Sequence, residues 1–238
     1  MKIGFYGDSF CEKFYSSNND FDTYIKKVAD NYGLSRSDVV NLGYGGSSIW
    51  DTMLIQFDLT NIDNKVFPDV LIFVWTDYNR LFHRKVRILN SSSVFNGSPN
   101  MLDKDIDIIN AAKEYYLHLM DTTKEDFAYV AALRYFDDLL SKISNKCKII
   151  HMWSFFNPGV PRGDILKENY YFRWKSGVEI RPALIYLSLM DTDISCLTDA
   201  KMANHIGSEY KNTLLANTII DAINNYENGK LIDYRTNK

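Results

Sequence analysis

Chemistry in a protein needs side chains that can exchange protons, attack or donate, held where a reacting atom can reach them. Four short stretches of this sequence have such residues. The first is Gly7-Asp8-Ser9-Phe10. A serine hydroxyl is a poor nucleophile until a base takes its proton, and a tight turn between strand and helix both exposes it and holds it still. Gly, Asp and Ser are also ordinary turn residues, so the tripeptide alone decides nothing. The second is Asn41-Leu42-Gly43-Tyr44-Gly45-Gly46-Ser47-Ser48. Glycines let backbone N–H groups come close to a ligand, and beside a helix start such donors can hold an oxyanion. The loop lacks the Gly-x-Gly-x-x-Gly spacing and the Gly-Lys-Ser/Thr ending of nucleotide-phosphate loops.

The third stretch is Trp75-Thr76-Asp77-Tyr78-Asn79-Arg80. Asn79 could donate an amide N–H to a developing negative charge. A helix cap, with Arg80 in a structural ion pair, is the competing reading. The fourth is Asp199-Ala200-Lys201-Met202-Ala203-Asn204-His205-Ile206-Gly207. A histidine at a helix entrance can titrate near neutrality and act as a base, and Asp199 could orient its ring. Of the other histidines, His118 falls in a helical stretch and His151 in a core strand, which leaves His83 as the competitor.

The elements that must position these residues can be read from hydrophobic periodicity. Lys2–Tyr6 reads as a short buried strand and Asp22–Tyr32 as a helix with Gly33 at its C-cap. Val39–Leu42 reads as a second strand. Ser47 or Ser48 can cap a helix running through Trp50 to Phe57. Val70–Trp75 is almost wholly apolar, as a parallel strand covered on both faces requires. Residues 91–100, rich in Ser, Asn, Gly and Pro, read as a loop. A long helical region over 105–144 breaks near Asp121-Thr122-Thr123, and Lys148–Trp153 is another strand. Asn157–Pro182 reads as an irregular, lid-like insertion, Gly207–Asn225 as a final amphipathic helix, and the tail after Glu227 as frayed. Strands alternating with helices imply a parallel sheet covered by helices, with ligands bound beyond the carboxyl ends of the strands. Ser9, the Gly43–Gly46 loop and Thr76–Arg80 each follow a strand and could share that rim.

Composition narrows the class. The chain has 238 residues, 46% hydrophobic and 24% charged, with a net charge of −3, so one α/β domain accounts for it. That balance gives no electrostatic reason to expect nucleic acid as partner. Three dispersed cysteines, Cys11, Cys147 and Cys196, favour neither a disulfide framework nor a zinc site, and no metal or cofactor is expected. No apolar run is long enough to span a bilayer, and the start lacks a signal-peptide pattern. Folding in a cytoplasm is the expectation; a virion, which needs no N-terminal signal, stays open as a location. Oligomeric state is not readable.

The order of the four stretches resembles the SGNH hydrolases, the GDSL esterase/lipase family, from Ile3 to about Ile223. The resemblance implies a three-layer α/β/α sandwich around a mainly parallel, flavodoxin-like sheet. It implies Ser9 as nucleophile, His205 as base and Asp199 as its carboxylate. The oxyanion would be held by the backbone N–H groups of Ser9 and Gly46, with Asn79 or Asp77 at the third position. Trp75, Trp153 and Arg80 are then expected on the substrate side, and the substrate is expected to be a small-molecule or carbohydrate ester. Two departures stand out. Asp77 falls where the family's third block carries Asn, and the residue three before His205 is Met202 rather than Asp. These departures favour the alternative of a non-catalytic binding or structural module on the same fold; an O-acyltransferase is a further alternative.

Overall fold

Period-two alternation in the strands sorts their side chains onto two faces, and helices cover both. The computed structural model describes residues 1–11, 22–78, 80–86, 89–97, 105–155, 172–181, 183–189 and 206–235. The central sheet contains β1 (Ile3–Gly7), β2 (Val39–Asn41), β3 (Val70–Trp75), β6 (Lys148–Trp153), β7 (Val178–Arg181) and β8 (Leu231–Asp233). Its order is β2-β1-β3-β6-β7-β8. Every pairing is parallel, with Ile3 opposite both Val39 and Val70, and Val70 opposite Lys148.

Ile3 and Phe5 of β1, Ile72 and Val74 of β3, and Ile150 and Met152 of β6 face one side. There they pack against α1 (Tyr24–Asn31), α6 (Leu184–Leu189) and the final helix α7 (Glu209–Asn224). Tyr6, Leu71, Phe73 and Ile149 face the other side, against α2 (Ile49–Asp51) and α5 (Thr122–Ser141). Each such side chain, fully buried, contributes roughly 1.5–3 kcal/mol, so the two cores hold the sheet between its layers. The result is a three-layer α/β/α architecture with a parallel, doubly wound sheet. A small third cluster, formed by Val86, Leu89, Val94 and Ala112, binds an antiparallel hairpin to two helices. Its strands are β4 (Arg80–Leu81) and β5 (Leu89–Asn90), and its helices are α3 (Ser91–Asn96) and α4 (Ile106–Glu114).

Local chemistry sets the boundaries. Thr23 caps α1, and Gly33 follows it at φ +63°, the left-handed conformation expected after a helix end. Ser48 caps α2 in a reciprocal box with Asp51, and the helix continues as a π-helical turn over Thr52–Gln56. The long helical region breaks at Met120, after which Asp121 caps α5.

Three expectations need correction. Residues 91–96 are helical rather than loop, because the Asn90 side chain accepts the Ser93 N–H as a cap and Val94 buries. The insertion expected over 157–182 contains β7. Its charges are compensated internally: Glu179 accepts from the Trp153 indole and from Arg181. The tail is not frayed through residue 235, because Leu231–Asp233 adds the sixth strand and Tyr234 is buried with its hydroxyl donating to the Ala183 carbonyl. Among the described residues, no helix is long and apolar enough to cross a membrane.

Candidate active site

The chain passes from β1 to β2 on one side of the sheet, then returns across β1 to β3 on the other. Open α/β sheets bind their ligands in a crevice beyond the carboxyl ends of the strands where the order reverses, here β1 and β3. The turn at the end of β1 stands in that crevice.

Gly7 closes the strand at φ +147°, and a Cβ on it would lie 2.3 Å from the Val74 carbonyl oxygen of β3. Only glycine fits that approach. Its N–H donates to Gln56 Oε1 at 2.5 Å, and its carbonyl accepts from Gln56 Nε2 and from Ser47 Oγ, each at 2.8 Å. The Tyr44 N–H also donates to that carbonyl, at 3.2 Å. The two peptide groups on either side of the Gly7 Cα are thus clamped from the glycine-rich loop and from the helical segment after it.

Asp8 is fully buried. One carboxylate oxygen accepts the Phe10 N–H at 3.1 Å, shaping the next turn. The other, which has no hydrogen bond, faces Arg80 Nη2 at 3.6 Å. Arg80 Nη1 donates to the Ser47 carbonyl at 3.0 Å, and the guanidinium lies 5.1 Å from the centre of the Phe155 ring. Phe155 meets Phe10 edge-on at 5.6 Å. Arg80 therefore ties the turn after β1 and the glycine-rich loop before α2 to the segment after β3. The guanidinium expected on the substrate side has the Asp8 carboxylate and the Ser47 carbonyl as its partners.

Ser9 opens a 3-10 turn, Ser9–Cys11, closed by the Cys11 N–H donating to the Asp8 carbonyl at 3.1 Å. From Gly7 to Cys11 every residue is buried except Ser9, which is partly exposed. The glycine loop presses against this turn: a Cβ on Gly43 would lie 2.2 Å from Cys11 Sγ. Gly46 takes φ +79° inside a turn closed by the Ser47 N–H donating to the Tyr44 carbonyl.

Asp77 and Tyr78 are partly exposed beyond β3, with Tyr78 edge-on to Tyr129 at 6.3 Å. Tyr129 is buried and donates to the Thr76 carbonyl; burial, and then the charge of Asp77, hold its phenol well above the usual range. Thr76 and Ser154 follow paired strand ends, and both hydroxyls are buried without a hydrogen-bond partner. Trp75 and Trp153 do not face the crevice. Both are fully buried in the second core; the indole of Trp75 donates to His151 Nδ1 at 3.1 Å and that of Trp153 to Glu179 at 2.7 Å. Their expected contact with substrate gives way to packing.

Of the residues expected at the site, the structure joins Ser9, the Gly43–Ser48 loop and Arg80. Asn79, Asp199 and His205 lie outside the described residues. His83 Nδ1 accepts two backbone N–H groups, from Lys85 and Val86, and is thereby a turn-former. Gln56 was not foreseen as a site residue; no sequence pattern links residue 56 to residue 7. Among the described residues, no cluster of His, Cys, Asp and Glu could hold a metal.

No protein-family model matches the sequence, and no curated protein matches it either. Among solved structures, the chain is similar to the crystal structure of an acetyl xylan esterase, AlAXEase. The two are 14% identical over 100% of this chain and 79% of that one, with a TM-score of 0.32. At that score, no residue role passes from one to the other.

Proposed function

We propose that the protein is a serine ester hydrolase of the SGNH type, with Ser9 as nucleophile, His205 as base and Asp199 as the carboxylate that orients the base. The observation that carries the proposal is Ser9 itself. It is the one partly exposed residue in an otherwise buried turn, at the crevice where the sheet reverses, on a backbone clamped by Gln56, Ser47 and Arg80.

In the reaction, His205 takes the hydroxyl proton as Ser9 Oγ attacks the ester carbonyl. The N–H groups of Ser9 and Gly46 stabilise the oxyanion, with Asn79 or Asp77 at the third position. The tetrahedral adduct collapses, the alcohol leaves with the proton held by His205, and water then releases the acid from the acyl-enzyme. A missing third donor slows such a reaction about a hundred- to a thousandfold without abolishing it. The proposed substrate class is a small acyl group on a carbohydrate.

The test is labelling by a fluorophosphonate probe, with the modified residue located by mass spectrometry, beside hydrolysis of an activated acetate ester. Wild-type protein should label at Ser9, Ser9→Ala should not label, and His205→Gln should label at least about a hundredfold more slowly. A folded wild-type protein left unlabelled would defeat the proposal and favour the non-catalytic module that Asp77 and Met202 suggest.

A further inference from the structure

The nucleophile and the proposed base are almost the whole chain apart, so something in the fold must hold their loops in register. Two helices carry those loops. α1 follows the nucleophile turn, and α7 follows the His205 segment. They run side by side in the same direction: Lys27 pairs with Glu209 near their starts, and Tyr32 bonds Asn224 at 2.9 Å near their ends. Helices that follow parallel strands start at the carboxyl rim, so both N-termini lie at the level of Ser9.

At that level a buried polar relay crosses between them. Asn212 is 1% exposed and Tyr24 2%. The Asn212 side-chain carbonyl accepts the Tyr24 N–H at 2.8 Å, across 188 residues of sequence. Its amide donates to the carbonyls of Ile206 and Ser208, both at 2.9 Å. At the other end of the relay, the Tyr24 hydroxyl donates to the Phe10 carbonyl at 3.0 Å. Residues 10 and 206 are the covalent neighbours of Ser9 and His205. Ile206 also packs against the core cluster that contains Phe10 and Cys11. The relay thus ends on the Phe10 carbonyl on one side and on the Ile206 and Ser208 carbonyls on the other, joined by the Tyr24 N–H to Asn212.

We propose that Asn212 and Tyr24 are positioning residues that set the His205 loop against the Ser9 turn. This rests on the reading of Ser9 and His205 as nucleophile and base. A 1 Å error in such a pairing costs about a hundredfold in rate, so the relay's effect should be seen in reactivity before it is seen in folding.

The experiment measures fluorophosphonate labelling rates against pH for the full chain and its variants, with thermal melting alongside. Asn212→Asp keeps the acceptor for Tyr24 and loses both donors to the base loop. It should label about tenfold more slowly or worse, with a displaced pH midpoint, whereas Asn212→Gln should recover part of the rate. The same Asn212→Asp change made in a His205→Gln background should have no further effect. Tyr24→Phe, which keeps the ring and its packing, serves if Asn212 variants fail to fold, and should lower the rate with little change in melting. Wild-type labelling with unchanged rates in the folded variants would overturn the positioning role alone, as would an equal loss in the His205→Gln background. No labelling of the wild type would remove both this role and the reaction it serves.

Discussion

His151 makes the stability of the molecule sensitive to acid, by an amount the structure allows to be worked out. The ring is fully buried in β6, stacked 3.6 Å from Trp174. Nδ1 accepts the Trp75 indole N–H at 3.1 Å, so the neutral ring carries its proton on Nε2, which faces the Ser176 carbonyl at 2.9 Å. Burial pushes its pKa down from 6.5 to about 3, against a smaller upward pull from the Ser176 carbonyl. Unfolded chains bind this proton below pH 6.5 and the folded one does not until about 3. The contribution is therefore complete above pH 6.5 and is lost as pH falls toward 3. Each pH unit in that window is worth about 1.4 kcal/mol, so the loss is ~2 kcal/mol at pH 5 and ~5 kcal/mol at pH 3. A domain stable by only about 5–15 kcal/mol would feel it. Urea denaturation at half-unit steps from pH 7 to 3.5, for wild type and His151→Phe, isolates the effect from the other histidines. Phe keeps the stacking but not the bond to Trp75, so the variant should be less stable at pH 7 by about 1–3 kcal/mol. It should also lose less on acidification. Parallel stability curves for the two proteins would refute the reasoning.

Two further outcomes concern the turn after β1. Gly7→Ala puts a methyl 2.3 Å from the Val74 carbonyl at a positive φ, and should cost at least ~3 kcal/mol in urea unfolding; a variant within about 0.5 kcal/mol of wild type would deny the close approach. Arg80→Met leaves the buried Asp8 carboxylate without its counter-charge and should cost about 3–5 kcal/mol, with Arg80→Lys intermediate because the fork to Ser47 is lost; melting curves of the three proteins check this order.

Much of the fold was legible because local chemistry and global layering agree. Val70–Trp75 is apolar throughout because helices cover both its faces, and Ser48 and Gly33 mark helix ends by direct capping. β7 alternates apolar Val178 and Ile180 with Glu179 and Arg181, but over four residues only, beside the glycines and prolines that read as an irregular insertion. β8 was hidden because three residues are too few for a period to show. The indole positions could have been read. The alternation that sends Leu71 and Phe73 into the second core sends Trp75 there too, and Trp153 follows Ile149 in the same phase. At the candidate site, the Gly7-Asp8-Ser9 turn after β1 and the glycine loop beside it were visible in the sequence. Gln56, Asn212 and Tyr24 were not, because each acts through a bond to backbone far away in sequence, and backbone partners leave no trace in residue types.

The sheet has a consequence for how the molecule is made. All of its strand pairs are crossovers, so no two neighbouring strands can zip together as a hairpin. Such distant pairings are slow to form. β7 has β6 on one side and waits for β8 on the other. While the chain is still on the ribosome, the backbone of Val178–Arg181 is an open edge until residues 231–233 emerge. That interval is when nascent chains of this protein would be most prone to stick to one another, and when a chaperone would have most to protect.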